Sequence, residues 1–121
     1  MSIRHVLIVD DSKTELLHLS GILKQAGYVV DTAESGEEMK LHLKRARPDL
    51  ILMDVVMPGK NGFHLTRALS RDPRFSDIPV IMCTSKGLET DRIWGMRQGA
   101  RGYLVKPVDK AELLRQIRAL E

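Results

Sequence analysis

The sequence predicts an α/β fold, a doubly wound parallel sheet of five strands with five helices on its two faces. Three observations predict it. Short apolar runs alternate with longer amphipathic stretches from one end of the chain to the other. Two runs, Val6-Leu7-Ile8-Val9 and Leu50-Ile51-Leu52-Met53, are apolar without interruption, which suits interior strands covered on both faces. The length, 121 residues, fits one domain around one core. Residues 1–121 are therefore expected to form a single domain, with nothing left over for an attached effector domain.

The five strands are expected at residues 5–9, 28–33, 50–53, 79–83 and 102–105. Between the first two, Ser12-x-x-Glu15 reads as a capping box, Leu16, Leu19, Leu23 and Ala26 follow at helical spacing, and Gly27 supplies the stop. In residues 36–46, Met39, Leu41 and Leu43 alternate with period two, while Met39, Leu43 and Ala46 fit a helix. Length and Glu37-Glu38 favour the helix and leave Leu41 near solvent. A third helix over 61–71 carries Leu65, Ala68 and Leu69. A polar fourth covers 89–98. A fifth begins at Asp109-x-x-Glu112 and carries Leu113, Leu114, Ile117 and Leu120.

Composition narrows the classes of function. The formal net charge is +3 and the isoelectric point is near 9.2, so a nucleic-acid partner has to be considered. Only Lys40, Lys44, Arg45 and Arg47 are dense, and the other basic residues are scattered without interleaved aromatics. We read them as solvated faces and expect no direct nucleic-acid binding. A single cysteine, Cys83, cannot form an internal disulfide, and no secretory pattern opens the chain, so a reduced cytoplasmic setting is expected. The apolar runs fall far short of the ~20 residues that a spanning helix needs, so no membrane insertion is expected.

In a doubly wound sheet, ligands gather outside the carboxyl ends of the strands. Reading those ends in order gives Asp10-Asp11, Asp54, Thr84-Ser85 and Lys106-Pro107. Singly, each has a plain structural explanation as a helix cap, a turn former or a solvated loop residue. Together, three carboxylates, a hydroxyl and a lysine on one edge are hard to attribute to caps and turns. Two like charges 4 Å apart cost about 4 kcal/mol at an effective dielectric near 20, so something positive must compensate. Hard oxygen donors suit Mg²⁺ or Mn²⁺, and the four histidines and Cys83 lack the spacing of zinc ligands. An aspartate beside such a cation and an ammonium can attack phosphorus and form an acyl phosphate. Asp54, the acid ending the central strand, is the best candidate nucleophile.

With these motifs the chain resembles the response-regulator receiver family over essentially its whole length. The resemblance rests on Leu7-Ile8-Val9-Asp10-Asp11-Ser12, on Pro48-Asp49-Leu50-Ile51-Leu52-Met53-Asp54 with Met57-Pro58-Gly59 and Asn61-Gly62, on Thr84-Ser85, and on Tyr103-Leu104-Val105-Lys106-Pro107. It implies a flavodoxin-like sheet in the order 2-1-3-4-5, the order that chemotaxis receivers have. It implies Asp54 as phosphoacceptor, Asp10, Asp11 and Asp54 with the backbone carbonyl of Val56 as the Mg²⁺ site, and Thr84 and Lys106 on the phosphoryl oxygens. Thr84 and Tyr103 would form a switch acting on the face made by helix four, strand five and helix five, where Ile93 and Trp94 also lie. Core packing is the default for a Trp, but two adjacent apolar residues cannot both face inward, which leaves a partner-binding role open for one of them.

The partner implied is a histidine kinase, with the chain a monomer or a weak dimer formed on phosphorylation. A narrower resemblance, over residues 88–101 with Val9-Asp10-Asp11-Ser12-x-Thr14-Glu15, is to stand-alone receivers of type IV pilus chemosensory systems, and it implies a chemotaxis-type kinase. Val56 and Lys86 occupy positions that in receivers influence hydrolysis of the acyl phosphate, and Lys86 could reach the site itself. Two rival readings stand beside this one, an aspartyl-phosphate phosphatase acting on free substrates and a phosphate-independent interaction module. The expected class is a regulatory module and not a metabolic enzyme.

Overall fold

The computed structural model describes residues 2–121. Five parallel strands, β1 (His5–Val9), β2 (Val29–Ala33), β3 (Leu50–Met53), β4 (Val80–Thr84) and β5 (Gly102–Val105), form one sheet in the order β2-β1-β3-β4-β5. The helices between and after them are α1 (Lys13–Gln25), α2 (Gly36–Arg45), α3 (Gly62–Arg71), α4 (Glu89–Arg97) and α5 (Lys110–Leu120). Fold class and strand order are those expected from the sequence.

Strand residues alternate between the two faces, and each face has its own apolar layer. Val6, Ile8, Leu50, Leu52, Ile81 and Cys83 pack with Leu16, Leu19 and Leu23 of α1 and Leu113, Leu114 and Ile117 of α5. Leu7, Val9, Ile51, Met53 and Val80 pack with Met39 and Leu43 of α2 and Leu65 and Leu69 of α3. A smaller cluster, Val55, Met82 and Ala100 with Phe63 and Tyr103, lies toward α4. The uninterrupted apolar runs of β1 and β3 thus follow from burial on both sides, while β2 at the edge is half exposed.

The element ends differ from the sequence expectations in ways that hydrogen bonding explains. Tyr28 stands outside β2 because its N–H closes α1, donating to the Leu23 carbonyl at 3.0 Å while Gly27 N–H donates to Lys24 at 3.1 Å. Gly27 has φ +96° there, a conformation that disfavours other residues. β4 starts after Pro79 and extends to Thr84, which pairs with Val105. At the start of α1, Ser12 Oγ accepts from Glu15 N–H at 3.3 Å, but the return half of the capping box is absent because Ser12 N–H donates to Asp10 Oδ1 at 2.9 Å. Ala26, Ala46 and Ala68, placed on apolar helix stripes from sequence, are all exposed, and Leu41 is exposed as expected.

α4 buries the fewest of its residues. Of its residues only Gly95 is buried. A Cβ on Gly95 would lie 2.9 Å from Met82 Sδ and 3.2 Å from the Tyr103 ring, so the missing side chain lets the helix settle against β4 and β5. Ile93 and Trp94 are 42% and 48% exposed, so neither joins the core and packing accounts for neither.

α3 is tied to the end of the central strand. Gly62 N–H donates to the Val55 carbonyl at 2.9 Å, and a Cβ on Gly62 would stand 2.0 Å from the Asp54 carbonyl oxygen and 2.9 Å from Val55 Cα. Both neighbours are backbone of the strand end and cannot swing away. Gly62→Ala should cost about 2–3 kcal/mol through this overlap, read as a lower melting temperature in thermal denaturation; an unchanged melting temperature would refute the constraint.

Candidate functional site

Asp10 follows β1, Asp54 follows β3 and Lys106 follows β5, and the parallel register brings all three to one edge of the sheet. Asp10 N–H donates to the Ala33 carbonyl at 3.0 Å and Asp54 N–H to the Val9 carbonyl at 2.9 Å, so the strand ladder itself fixes where both acids leave the sheet. Asp10 is 1% and Asp54 5% exposed, while Asp11 faces solvent.

The half-buried Lys106 supplies the compensating charge. Its Nζ donates to Asp10 Oδ2 at 2.7 Å and stands 3.5 Å from Asp54 Oδ1. Burial works against the ammonium, but the hydrogen bond to Asp10 and the charges of Asp54, Asp10 and Glu15 outweigh it and hold its pKa above the ordinary lysine value. Asp54 goes the other way for a carboxyl. Burial first, and the Asp10 charge second, push its pKa up to about 6, against the opposing pull of Lys106 and the Val55 N–H.

The two oxygens of Asp54 are not equivalent. Oδ1 accepts from Val55 N–H at 2.9 Å and faces Lys106, whereas Oδ2 accepts no hydrogen bond from the described residues. One oxygen is held and the other is free to react. Asp10 has both oxygens engaged, Oδ1 by Ser12 N–H and Oδ2 by Lys106.

Asp10, Asp11 and Asp54 each offer a carboxylate oxygen, and the three oxygens lie within 4.8 Å of one another. This donor set is compatible with Mg²⁺, whose bonds are to hard oxygens, and the exposed side of Asp11 leaves room for the waters that Mg²⁺ keeps. The side chain of Val56, 54% exposed, projects at the rim of the site.

The remaining residues picked out from sequence fall into a second line. Thr84, fully buried at the end of β4, accepts from Lys86 N–H through Oγ1 at 3.3 Å. Half-buried Tyr103 donates its hydroxyl to the Lys86 carbonyl at 2.7 Å. Burial, with the charges of Asp91 and Asp54, pushes the Tyr103 pKa up to about 12, so the phenol stays protonated and a donor at neutral pH. The Lys86 side chain, which from sequence could reach the site, does not pair with its acids. That side chain is exposed and makes no ion pair among the described residues, and it is the Lys86 backbone that joins Thr84 to Tyr103.

Two charged residues take roles the sequence did not show, one beside the site and one at the opposite edge of the sheet. Glu15 has a buried Oε1 with no hydrogen-bond partner, and its charge reaches both Lys106 and Cys83. The sequence had placed it in a helix cap, a role that told nothing of where the side chain ends. Asp49 accepts from the N–H groups of Arg4 and His5, both at 3.0 Å, which locks β1 to the start of β3 and holds its own pKa below the usual range. Cys83 is buried, and burial raises its pKa, which keeps the thiol protonated and inert.

Comparison with known proteins agrees with this geometry. Residues 6–118 match the family model of the response regulator receiver domain. The chain is 50% identical over 115 residues to Protein PilH of Pseudomonas aeruginosa, covering 95% of each. It is 38% identical over 115 residues to the phosphate regulon transcriptional regulatory protein PhoB of the same organism, of which it spans 50%. Among solved structures it is similar to the chemotaxis response regulator CheY4 of Vibrio cholerae, with a TM-score of 0.89 and 33% identity over 99% of this chain and 100% of that one. A CheY-like receiver domain protein from Methanospirillum hungatei gives a TM-score of 0.86 at 27% identity over 98% and 93% of the two chains. No described helix is long and apolar enough to cross a membrane. With a strand order, an acidic edge and a family match that all agree, the chain belongs to the response-regulator receiver family, whose members are signalling modules and not metabolic enzymes.

Proposed function

We propose that this receiver accepts a phosphoryl group on Asp54 from the phosphohistidine of a histidine kinase and passes the event to the surface formed by α4, β5 and α5. The observation that supports this most is the asymmetry of Asp54, a buried carboxylate with one oxygen tethered by Val55 N–H beside Lys106 and the other unengaged. Asp54 Oδ2 attacks phosphorus, the new P–O bond forms as the P–N bond to the kinase imidazole breaks, and the imidazole leaves with the bonding electron pair and takes up a proton. A pKa of about 6 leaves most of Asp54 ionised and nucleophilic at pH 7 or above.

Asp10, Asp11, Asp54 and the Val56 carbonyl would hold Mg²⁺. When bound, the ion offsets negative charge on the equatorial phosphoryl oxygens. Lys106 shares that task, and to do so its ammonium must turn from Asp10 Oδ2 toward the phosphoryl group. Thr84 then exchanges its long contact with Lys86 N–H for a hydrogen bond donated to a phosphoryl oxygen. The Lys86 backbone is thereby released from one side, and the Tyr103 hydroxyl it accepts from the other side is freed to follow, biasing a two-state surface. Ile93 and Trp94, exposed on the α4 side of that surface, are proposed as partner contacts. The 50% identity to Protein PilH, together with the resemblance over residues 88–101, supports a place in a type IV pilus chemosensory system with a chemotaxis-type kinase as donor.

Acetyl phosphate with Mg²⁺ should add one phosphoryl mass to the intact chain and none to Asp54→Asn. An adduct that persists in Asp54→Asn, or none in the native chain, would overturn the assignment. Steady release of phosphate from free substrates would instead favour a phosphatase.

The acids also make a linkage prediction. Asp54 is raised from the ordinary 3.8 to about 6, so between those values the folded state keeps a proton that the unfolded chain releases. The sign follows: metal-free stability falls as pH rises from about 4 to 6, and Asp54→Asn removes that fall. At pH 7.5 without metal, Asp54→Asn should melt higher by on the order of 5 °C, and a lower melting temperature would contradict the charge argument. Lys106→Met should weaken phosphoryl acceptance yet tighten Mg²⁺ binding several-fold in calorimetric titration, since the ammonium that competes for Asp10 Oδ2 is gone. Weaker Mg²⁺ binding in that variant would show that Lys106 and the ion do not compete.

A further inference from the structure

We propose that the groove between α2 and α3 docks an acidic amphipathic helix of a protein partner, at a site separate from both the phosphoacceptor edge and the α4-β5-α5 face. The groove has a volume of about 450 Å³ and shares no lining residue with either of those sites.

Its shape is set at both ends. α2 and α3 meet at Gly36, where a Cβ would stand 2.8 Å from Leu65 Cδ2. Beyond that contact the helices leave a trough whose base is the edge of the apolar layer of this face, Met39, Leu43, Leu65 and Leu69, each at most 7% exposed. Exposed Ala68 and half-buried Phe75 carry the apolar floor up to the surface. At the far end, the Arg47 guanidinium donates to the Arg74 carbonyl and the Asp77 carboxylate and ties the segment after α2 to the one after α3.

The rim is strongly cationic. Lys40 and Lys44 from α2 face Lys60, Arg67 and Arg71 from α3 and the loop before it, and none of the five pairs with an acid among the described residues. The one acid in the lining, Asp72, is already held by Arg74 at 2.8 Å. Elsewhere on the chain Arg92 and Arg115 have carboxylate partners on their own helices while Arg97 and Arg101 have none among the described residues, so it is the gathering of five such charges around one trough that sets this rim apart. Five like charges gathered around an apolar floor repel one another and call for a ligand with the opposite pattern.

A helix fits that pattern. α2 and α3 have ten residues each, so the trough is about 15 Å long, enough for two to three turns. Apolar side chains at i, i+3, i+4 and i+7 would meet the floor while flanking Glu and Asp residues meet the lysines and arginines. Nucleic acid fits less well. The single aromatic of the groove, Phe75, is covered by the Arg74 guanidinium 5.0 Å from its ring centroid, which leaves no platform for base stacking.

The test uses the full chain and a labelled synthetic helix of about 14 residues, with Leu at those positions and Glu elsewhere, against a scrambled peptide of the same composition. Fluorescence anisotropy should report saturable binding of the patterned peptide alone. The double variant Lys40→Glu/Arg67→Glu should weaken it at least ~10-fold, while Arg97→Glu on α4 leaves it unchanged. Amide shifts in nuclear magnetic resonance spectra should concentrate in residues 39–44 and 60–75. Equal binding of the scrambled peptide, shifts centred on α4 and α5, or capture of duplex DNA or anionic vesicles by the same residues in place of the peptide would each overturn the proposal, as would no binding at all. Asp54→Asn is expected to keep peptide binding, so failure of phosphoryl acceptance and failure of this groove are read separately.

Discussion

One ammonium lets two buried carboxylates coexist at the centre of this protein. Lys106 Nζ lies 2.7 Å from Asp10 and 3.5 Å from Asp54, and both acids are almost wholly withdrawn from water. Without that charge the pair would cost on the order of 4 kcal/mol even at a moderate effective dielectric. With it, the cost is reduced but not removed: burial first and the Asp10 charge second still leave the Asp54 pKa raised. The site is therefore held in a state of unmet electrostatic demand, which a divalent cation held by Asp10, Asp11 and Asp54 would answer. The fold enforces this condition, because parallel pairing of β1 with β3 and β4 with β5 gives each of the three residues a fixed exit from the sheet.

The second line of residues has the opposite character. Thr84 and Tyr103 are linked through the backbone of Lys86 by one long and one short hydrogen bond. Behind them α4 rests on the sheet through a glycine and little else, and it carries Ile93, Trp94 and Met96 exposed. On the proposed function, a helix that buries so little beside this charge cluster is where a change at Asp54 would shift a surface at low energetic cost. α3 differs in this respect. Its first residue is wedged beneath the Asp54 and Val55 backbone, which fixes the start of the helix and with it one wall of the groove against α2.

Much of this was legible in the sequence. Uninterrupted apolar runs required strands buried on both faces, their alternation with amphipathic stretches required a parallel sheet with crossovers, and a parallel sheet put Asp10, Asp54, Thr84 and Lys106 on one edge. These inferences succeed because period and polarity are local properties that burial then enforces. Single caps were legible for the same reason, although Ser12 N–H proved to serve Asp10 and not the helix cap.

What only the tertiary structure decided concerns where side chains end. Glu15 reads as a cap residue in sequence, yet its carboxylate is buried within electrostatic reach of Lys106. Lys86 reads as a charge that reaches the site, yet its backbone is the part that matters. Lys40 and Lys44 belong to the one dense basic group along the chain, while Lys60, Arg67 and Arg71 read as scattered; packing α2 against α3 gathers all five around one trough. Sequence order determines what each element presents, and so it determined the sheet and the acidic edge. Proximity between elements distant in the chain is set by packing, and so the charge around Lys106 and the cationic groove had to await the fold.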